Sequence, residues 1–381
     1  MNSDRFPRPA IIGCRTPEFP DDQIKVIKEL NPFGLIIFGE ACRNGKKGVK
    51  NVVRQFRDAV DRDNAPILID NEGGKVFRFN PDFDEDWYAA PPARRFGAIY
   101  QANPDHGKEA VRLNAQLIAA DMIECGVTVN CAPVVDILYD VTFTEDALRK
   151  GDRHTASADM QSRCFGFEPD TVIDLGWYFS DGLMSLGVTP ILKHIPGIGR
   201  MTADPHYTDC RVDTPLEELA ESDFKTFAKM TNIPVAMTSH AIYSDIDPDN
   251  AATLSPKLIS EVIRGHIGFE GVLLADALEM NAIKPEAFHD DKKDPFGMGL
   301  PKKGALKEIT REALSAGIDL VLHCDCSGNF DHTVEVLKAC DPVDGDQYKH
   351  LQKIHIHAKQ SLKKFNRPTA LKRLQEIQGL Y

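Results

Sequence analysis

Eight short apolar runs, each followed by a stretch of amphipathic pattern, restrict the fold of this chain more than any other feature. The runs are Pro9–Gly13, Gly34–Phe38, Pro66–Asp70, Thr128–Pro133, Thr189–His194, Pro234–Ser239, Gly271–Asp276 and Asp319–His323. Each is nearly continuous in apolar or β-branched residues, as strands buried on both faces are. Between them Asp21–Leu30, Gly48–Asp61, His106–Cys125, Asp170–Leu186, Pro215–Met230, Pro256–Gly265 and Leu306–Ala316 read as helices. This alternation implies parallel strands joined by crossover helices. Eight such units predict an α/β fold, a single (β/α)8 TIM-type barrel; an open doubly wound sheet leaves a similar pattern and is the alternative.

Four connections are long: Phe79–Pro104, Asp136–Glu168, Pro196–Pro215 and Lys284–Lys303. All follow a strand, so a barrel places them on its C-terminal face, where barrel enzymes carry their chemistry. The tail Asp341–Tyr381 contains a basic stretch, Lys349–Lys364, ahead of Pro368. It reads as a solvated helix closing the barrel, which makes residues 1–381 one domain.

Charge and composition narrow the partners. The chain carries 45 basic and 57 acidic residues, a net charge of -12, the wrong sign for binding the phosphate backbone of nucleic acid. The first ten residues include Asp4, Arg5 and Arg8 and no apolar run of signal-peptide length, and no segment approaches the roughly 20 apolar residues of a membrane span. Nine scattered cysteines, an odd number, suit reduced thiols better than a disulfide framework. The expected location is the cytoplasm.

The strand ends are polar. Asp70 closes the third run, Lys193 and His194 the fifth, His240 follows the sixth and Asp276 closes the seventh. Any one has a structural explanation: Asp276 can cap a following helix, and Asp70 can orient the turn at Gly73 and Gly74. Their joint placement at one end of a barrel is the signal. Beyond the fifth run, Asp204 and His206 stand two apart around Pro205, so in an extended segment both side chains point the same way. A carboxylate there can orient the imidazole, whose reference pKa near 6.5 lets it donate and recover a proton at neutral pH; the spacing alone fits a surface pair in a loop better. Gly197-Ile198-Gly199 lacks the third glycine of a dinucleotide fingerprint, and His323-Cys324-Asp325-Cys326 lacks the second cysteine pair of a zinc site and reads as a buried strand end. No Gly-x-Ser-x-Gly, P-loop or His-Glu-x-x-His occurs.

Four segments together carry a family resemblance. Asp70-Asn71-Glu72-Gly73-Gly74-Lys75-Val76-Phe77-Arg78-Phe79, the stretch from Lys193 to His206, Ser239 to Pro248 and Gly271 to Asp276 closely resemble the bacterial β-N-acetylhexosaminidases of glycoside hydrolase family three, in order over Ile11 to Cys324. The resemblance implies a single-domain barrel that removes non-reducing terminal β-linked N-acetylglucosamine with retention, through a covalent glycosyl-enzyme. It implies Asp276 as nucleophile, Asp204 and His206 as the acid and base pair, and Asp70, Arg78, Lys193, His194 and Arg163 as holders of the sugar hydroxyls. It further implies a small carbohydrate substrate, cell-wall turnover fragments in cytoplasmic members, and no metal or organic cofactor. The chain departs from the pattern in two places: the family's Gly-Glu-Arg-Ser is Gln161-Ser162-Arg163-Cys164 after a longer loop, and the second His of Lys-His-x-Pro-Gly-His-Gly is Ile198. The long loops 136–168 and 284–303 bear on what lies beyond the first sugar. A β-glucosidase-type enzyme is the lesser alternative within hydrolysis, and two readings stand beside hydrolysis. One is a phosphorylase, because a neutral imidazole base repels an incoming phosphate less than a carboxylate does. The other is a barrel without activity, which has no use for a nucleophile.

Overall fold

The computed structural model describes residues 6–139, 156–201, 210–294, 299–358 and 362–381. Its centre is a closed barrel of eight parallel strands in sequential order: β1 Arg8–Cys14, β2 Pro32–Ile37, β3 Ile67–Ile69, β4 Val129–Asn130, β5 Thr189–Ile195, β6 Val235–Thr238, β7 Val272–Ala277 and β8 Leu320–His323. β8 pairs back onto β1 and closes the ring. All eight expected strands are present within a few residues of the expected bounds, and the open sheet is excluded by the β1–β8 pairing.

Side chains alternate along most of each strand. Ile11, Leu68, Val129, Ile191, Val235, Met237, Val272, Leu274, Leu320 and Leu322 form one buried cluster in the interior. Their neighbours Ala10, Ile12, Ile67, Ile69, Leu192, Ala236, Leu273, Ala275 and Val321 join the second cluster, under the surrounding helices. Strand period two therefore sorts each run into two apolar faces, which is why the runs read as continuous. Phe33, Val343, Leu351 and Ile354 extend the interior cluster, and the Thr189 hydroxyl at the start of β5 donates to the Ile354 carbonyl at 2.6 Å. The C-terminal segment thus fills the N-terminal end of the barrel.

Helices Asp21–Leu30, Gly45–Val60, Pro104–Glu124, Pro169–Ser185 and Ala305–Ala316 lie where the sequence predicts them. Three regions differ. The helix expected over 215–230 is two, Leu216–Glu221 and Asp223–Ala228, because Ser222 leaves helical geometry at φ -125°, ψ -89°. Leu258–His266 is a π-helix. The basic stretch 349–364 is not one helix: Gly345–Leu351 ends in a 3₁₀ turn at Gln352–Ile354, and the last helix is Arg367–Gln378. Pro368 starts that helix, where its missing N–H costs nothing, instead of stopping an earlier one.

A helix unpredicted from the sequence, Ala93–Ala102, lies within the long connection after β3. It packs so closely on Phe165 that a Cβ added at Gly97 would stand 1.7 Å from the Phe165 carbonyl oxygen. Gly97→Ala is therefore expected to cost about 1 to 3 kcal/mol of stability through overpacking, read as a lower urea midpoint; an unchanged midpoint would show that this contact yields freely.

Candidate active site

The alternation that fills the barrel also builds its mouth. Asp70 is in phase with Leu68, Lys193 with Ile191 and Asp276 with Leu274, so each continues the inward row one step past the last apolar residue. The Lys193 ammonium lies 3.1 Å from Asp70 Oδ1 and 2.7 Å from Glu72 Oε1. Glu72 also receives Arg163 in a two-pronged pair, Nε to Oε2 and Nη2 to Oε1, both at 2.8 Å. Arg78 Nη2 approaches Asp70 Oδ2 at 3.5 Å. Arg163 ends helix Ala156–Arg163 and so ties the β4 loop to the ends of β3 and β5.

Lys193 and Glu72 are 3% and 6% exposed, which makes their ionisation a matter of pairing. Burial alone would raise the Glu72 carboxyl, but Arg163 and Lys193 outweigh it and hold it far below the ordinary range. Burial likewise opposes the Lys193 ammonium, and Glu72 and Asp70 more than restore it, so its pKa rises.

His194 follows Lys193, and the register of β5 against β6 slips between Lys193 and Ile195. Its Nδ1 lies 2.8 Å from Asp136 Oδ2. A carboxylate only accepts, so Nδ1 carries the proton and Nε2 is left for other work. Asp136 Oδ1 also takes the Ile198 N–H at 2.9 Å, fixing the start of the loop after β5. Arg200, further along that loop, bonds Asp223 at 2.8 Å, Ser222 and the Tyr139 hydroxyl at 3.1 Å, and stacks over the Tyr139 ring. Asp204 and His206 lie outside the described residues.

Asp276 is partly exposed at the end of β7 and takes the Ala277 N–H on Oδ1 at 2.8 Å; no helix follows for it to cap. Burial opposes its charge, yet the imidazoles of His194 and His240, the Lys193 ammonium and the Ala277 N–H together hold its carboxyl below the ordinary value. An anion thus sits beside an array of fixed donors, an arrangement suited to positive charge developing at a sugar carbon.

The structure therefore brings Asp70, Arg78, Arg163, Lys193, His194 and Asp276 to one end of the barrel. Sequence reasoning missed Glu72 and Asp136. Glu72 stands two past Asp70, the spacing that keeps a strand residue on one face, and Asp136 is the one charge that interrupts the apolar stretch from Cys131 to Tyr139 after β4. Among the described residues no group of three or more His, Cys, Asp or Glu side chains is arranged to hold a metal. No helix among them is long and apolar enough to cross a membrane.

The family described as glycosyl hydrolase family 3 N terminal domain matches residues 15–347. The chain belongs to glycosyl hydrolase family 3. As a member of that family it is a glycosidase. It is 28% identical over 310 residues to a β-hexosaminidase of Nitrosomonas eutropha, covering 80% of this chain and 78% of that one. It is 25% identical over 373 residues to a β-hexosaminidase of Alkalilimnicola ehrlichii, covering 97% and 94%. Native NagZ from Neisseria gonorrhoeae has the same fold, with a TM-score of 0.77 at 20% identity over 98% of both chains.

Replacing Glu72 tests the ion network. Glu72→Gln leaves Lys193 and Arg163 buried without their shared anion, and the expected loss near neutrality is about 3 to 5 kcal/mol. Because the native carboxyl titrates below the unfolded one, the Glu72 contribution is complete above the unfolded value of about 4.3 and fades as pH falls from there toward the native one. Urea titrations near neutrality and at about pH 3 should show the gap between parent and variant narrowing in acid; a gap that does not depend on pH contradicts the assignment.

Proposed function

We propose that the chain is a retaining exo-acting β-N-acetylhexosaminidase that removes terminal β-linked N-acetylglucosamine. Family membership and the two β-hexosaminidase relatives support the reaction class. NagZ of the same fold has been crystallised with N-trifluoroacetyl-D-glucosamine, which supports the sugar. The observation that carries the reading is Asp276, held anionic at the mouth of the barrel beside His194, His240 and Lys193.

In this reading the Asp276 carboxylate attacks the anomeric carbon while the aglycone oxygen leaves with a proton from His206. Water then attacks the glycosyl-aspartate, gives its proton to His206, and releases the sugar with its configuration retained. Asp204 favours the protonated imidazole and orients it. Asp70, Arg78, Arg163, Lys193 and His194 surround the sugar: Lys193 has a third N–H beyond the two given to carboxylates, and His194 Nε2 faces no obligation to Asp136. Both reacting groups are side chains and no electrons are transferred, so the reaction needs no metal or organic cofactor. The whole chain acts as one catalytic barrel, in the cytoplasm, on fragments of cell-wall turnover; cysteines that form no disulfide among the described residues suit that compartment.

Asp276→Ala is expected to fold and to lose turnover of an aryl β-N-acetylglucosaminide, and a 2-fluoro glycoside with a good leaving group should label Asp276 in the parent. Near-parental activity in the folded variant, or label on another carboxylate, moves the role elsewhere. Products and rate should be the same with and without phosphate; a sugar phosphate among the products makes the enzyme a phosphorylase.

For His206→Ala, pre-steady-state release of the aryl group should depend steeply on leaving-group pKa, because poor leaving groups lose their proton donor. A dependence as shallow as the parent's removes His206 as the acid.

A further inference from the structure

Three residues past Asp276 stands a second carboxylate, Glu279, that the reaction does not use. It is buried, and its partners all lie at the end of β8: the Cys324 N–H donates to Oε1 at 2.7 Å, the Cys326 N–H to Oε1 at 3.3 Å, and His323 Nδ1 lies 3.1 Å from Oε2. Within the same turn the Leu278 N–H donates to the Leu322 carbonyl at 2.9 Å, and the Met280 N–H to Ala277 at 3.1 Å. On the opposite side His240 Nε2 lies 3.0 Å from the Ala277 carbonyl oxygen, and its Nδ1 2.8 Å from Thr253 Oγ1. The Ala277 N–H is the group that holds Asp276 Oδ1. The turn that follows Asp276 is therefore held on two sides: His240, just past β6, meets the Ala277–Leu278 peptide, and the end of β8 holds Leu278 and Glu279.

We infer that Glu279 and His323 form a positioning pair that sets the attack geometry of Asp276 by locking the turn 276–280 to the end of β8. The inference rests on Asp276 being the nucleophile. A buried carboxylate is costly unless its bonds are made. Here one carboxylate engages two backbone N–H groups and an imidazole across two strands, and nothing in the apolar packing requires it. Burial opposes the charge on each partner, and each partner restores the other: the Glu279 carboxyl is lowered and the His323 imidazole raised. Asp325 and Glu335 also favour the imidazolium, His332 faces it as a like charge, and Arg15 acts on the adjoining Asp325 and Cys326.

Glu279→Gln separates positioning from mere support. The amide oxygen still accepts from Cys324 and Cys326, so the turn is kept, but the amide NH2 now faces His323 Nδ1. A protonated imidazole has a proton there and cannot accept; a neutral one with its proton on Nε2 can. Without the carboxylate the imidazole loses the charge that raised it, and burial lowers its pKa. The readout is the rate of labelling of Asp276 by the 2-fluoro glycoside. Relative to the parent it should fall about ten- to hundredfold in acid, with apparent affinity unchanged, and recover as pH rises through the lowered pKa of the variant's imidazole, below the ordinary histidine value of about 6.5. A variant that labels at the parental rate at every pH, or whose defect lies in affinity, overturns the inference. If Glu279→Gln does not fold, His323→Phe, which leaves Glu279 its two backbone partners, takes the same test: slower labelling at every pH supports the pair and parental labelling overturns it. A parent that takes no label at Asp276 overturns the nucleophile assignment itself.

Discussion

The mouth of this barrel depends on one carboxylate, Glu72, shared by Arg163 and Lys193. A lysine in the last inward-facing layer, almost wholly removed from water, stays charged only while anions stand within contact distance, and Asp70 and Glu72 are those anions. The bonds are charge-assisted and one is bidentate, which makes them both strong and geometrically exacting. Three segments far apart in sequence are joined through this point: the end of β3, the helix Ala156–Arg163 and β5. Lys193, which it fixes, then acts on Asp276 beside the imidazoles of His194 and His240, so the electrostatics at the proposed nucleophile draw in part on an ion pair that does not include it.

Cysteine is another side chain at this mouth that could be a nucleophile, and the surroundings disarm it. Cys131 and Cys324 continue the interior cluster at the same end as Asp70 and Asp276. Burial pushes both thiols well above their ordinary values, and the nearby carboxylates add to the effect. A thiol that keeps its proton is a poor nucleophile, whereas the same neighbourhood keeps Asp276 ionised. One set of charges thus selects between two candidate groups.

Much of this was legible in the sequence, because strand period and burial act locally. Eight apolar runs sufficed for the barrel, and the polar residue closing a run fell on its inner face at Asp70, Lys193 and Asp276. What was not legible depends on distant partners. Glu72 reads as part of a glycine-rich turn until Arg163, 91 residues away, is seen to hold it. The break at Ser222 has a similar cause: the Ser222 and Asp223 side chains are drawn to Arg200 and Tyr139, a tertiary demand that helical pattern does not record. The helix whose first turn holds Pro368 was not legible because a proline ends one helix and begins another with equal ease, and only the Asn366 cap accepting from the Thr369 N–H decides which.

The filling of the barrel's N-terminal end carries a consequence for how the chain is made. Val343, Leu351 and Ile354 plug an interior whose first strand begins at Arg8, and the Val343 N–H bonds the Pro7 carbonyl. Arg8 reaches the Cys340 carbonyl in the same region. Synthesis runs from the N-terminus, at about 5 to 20 residues per second. The residues that seal the eight strands' inner face follow β8 in the chain, so while the strands are being made that face has no floor. The nascent barrel must wait with its apolar bore open at one end, which makes the segment from Val343 to Ile354 its stopper and its growing chain a natural client for whatever shields exposed hydrophobic surface.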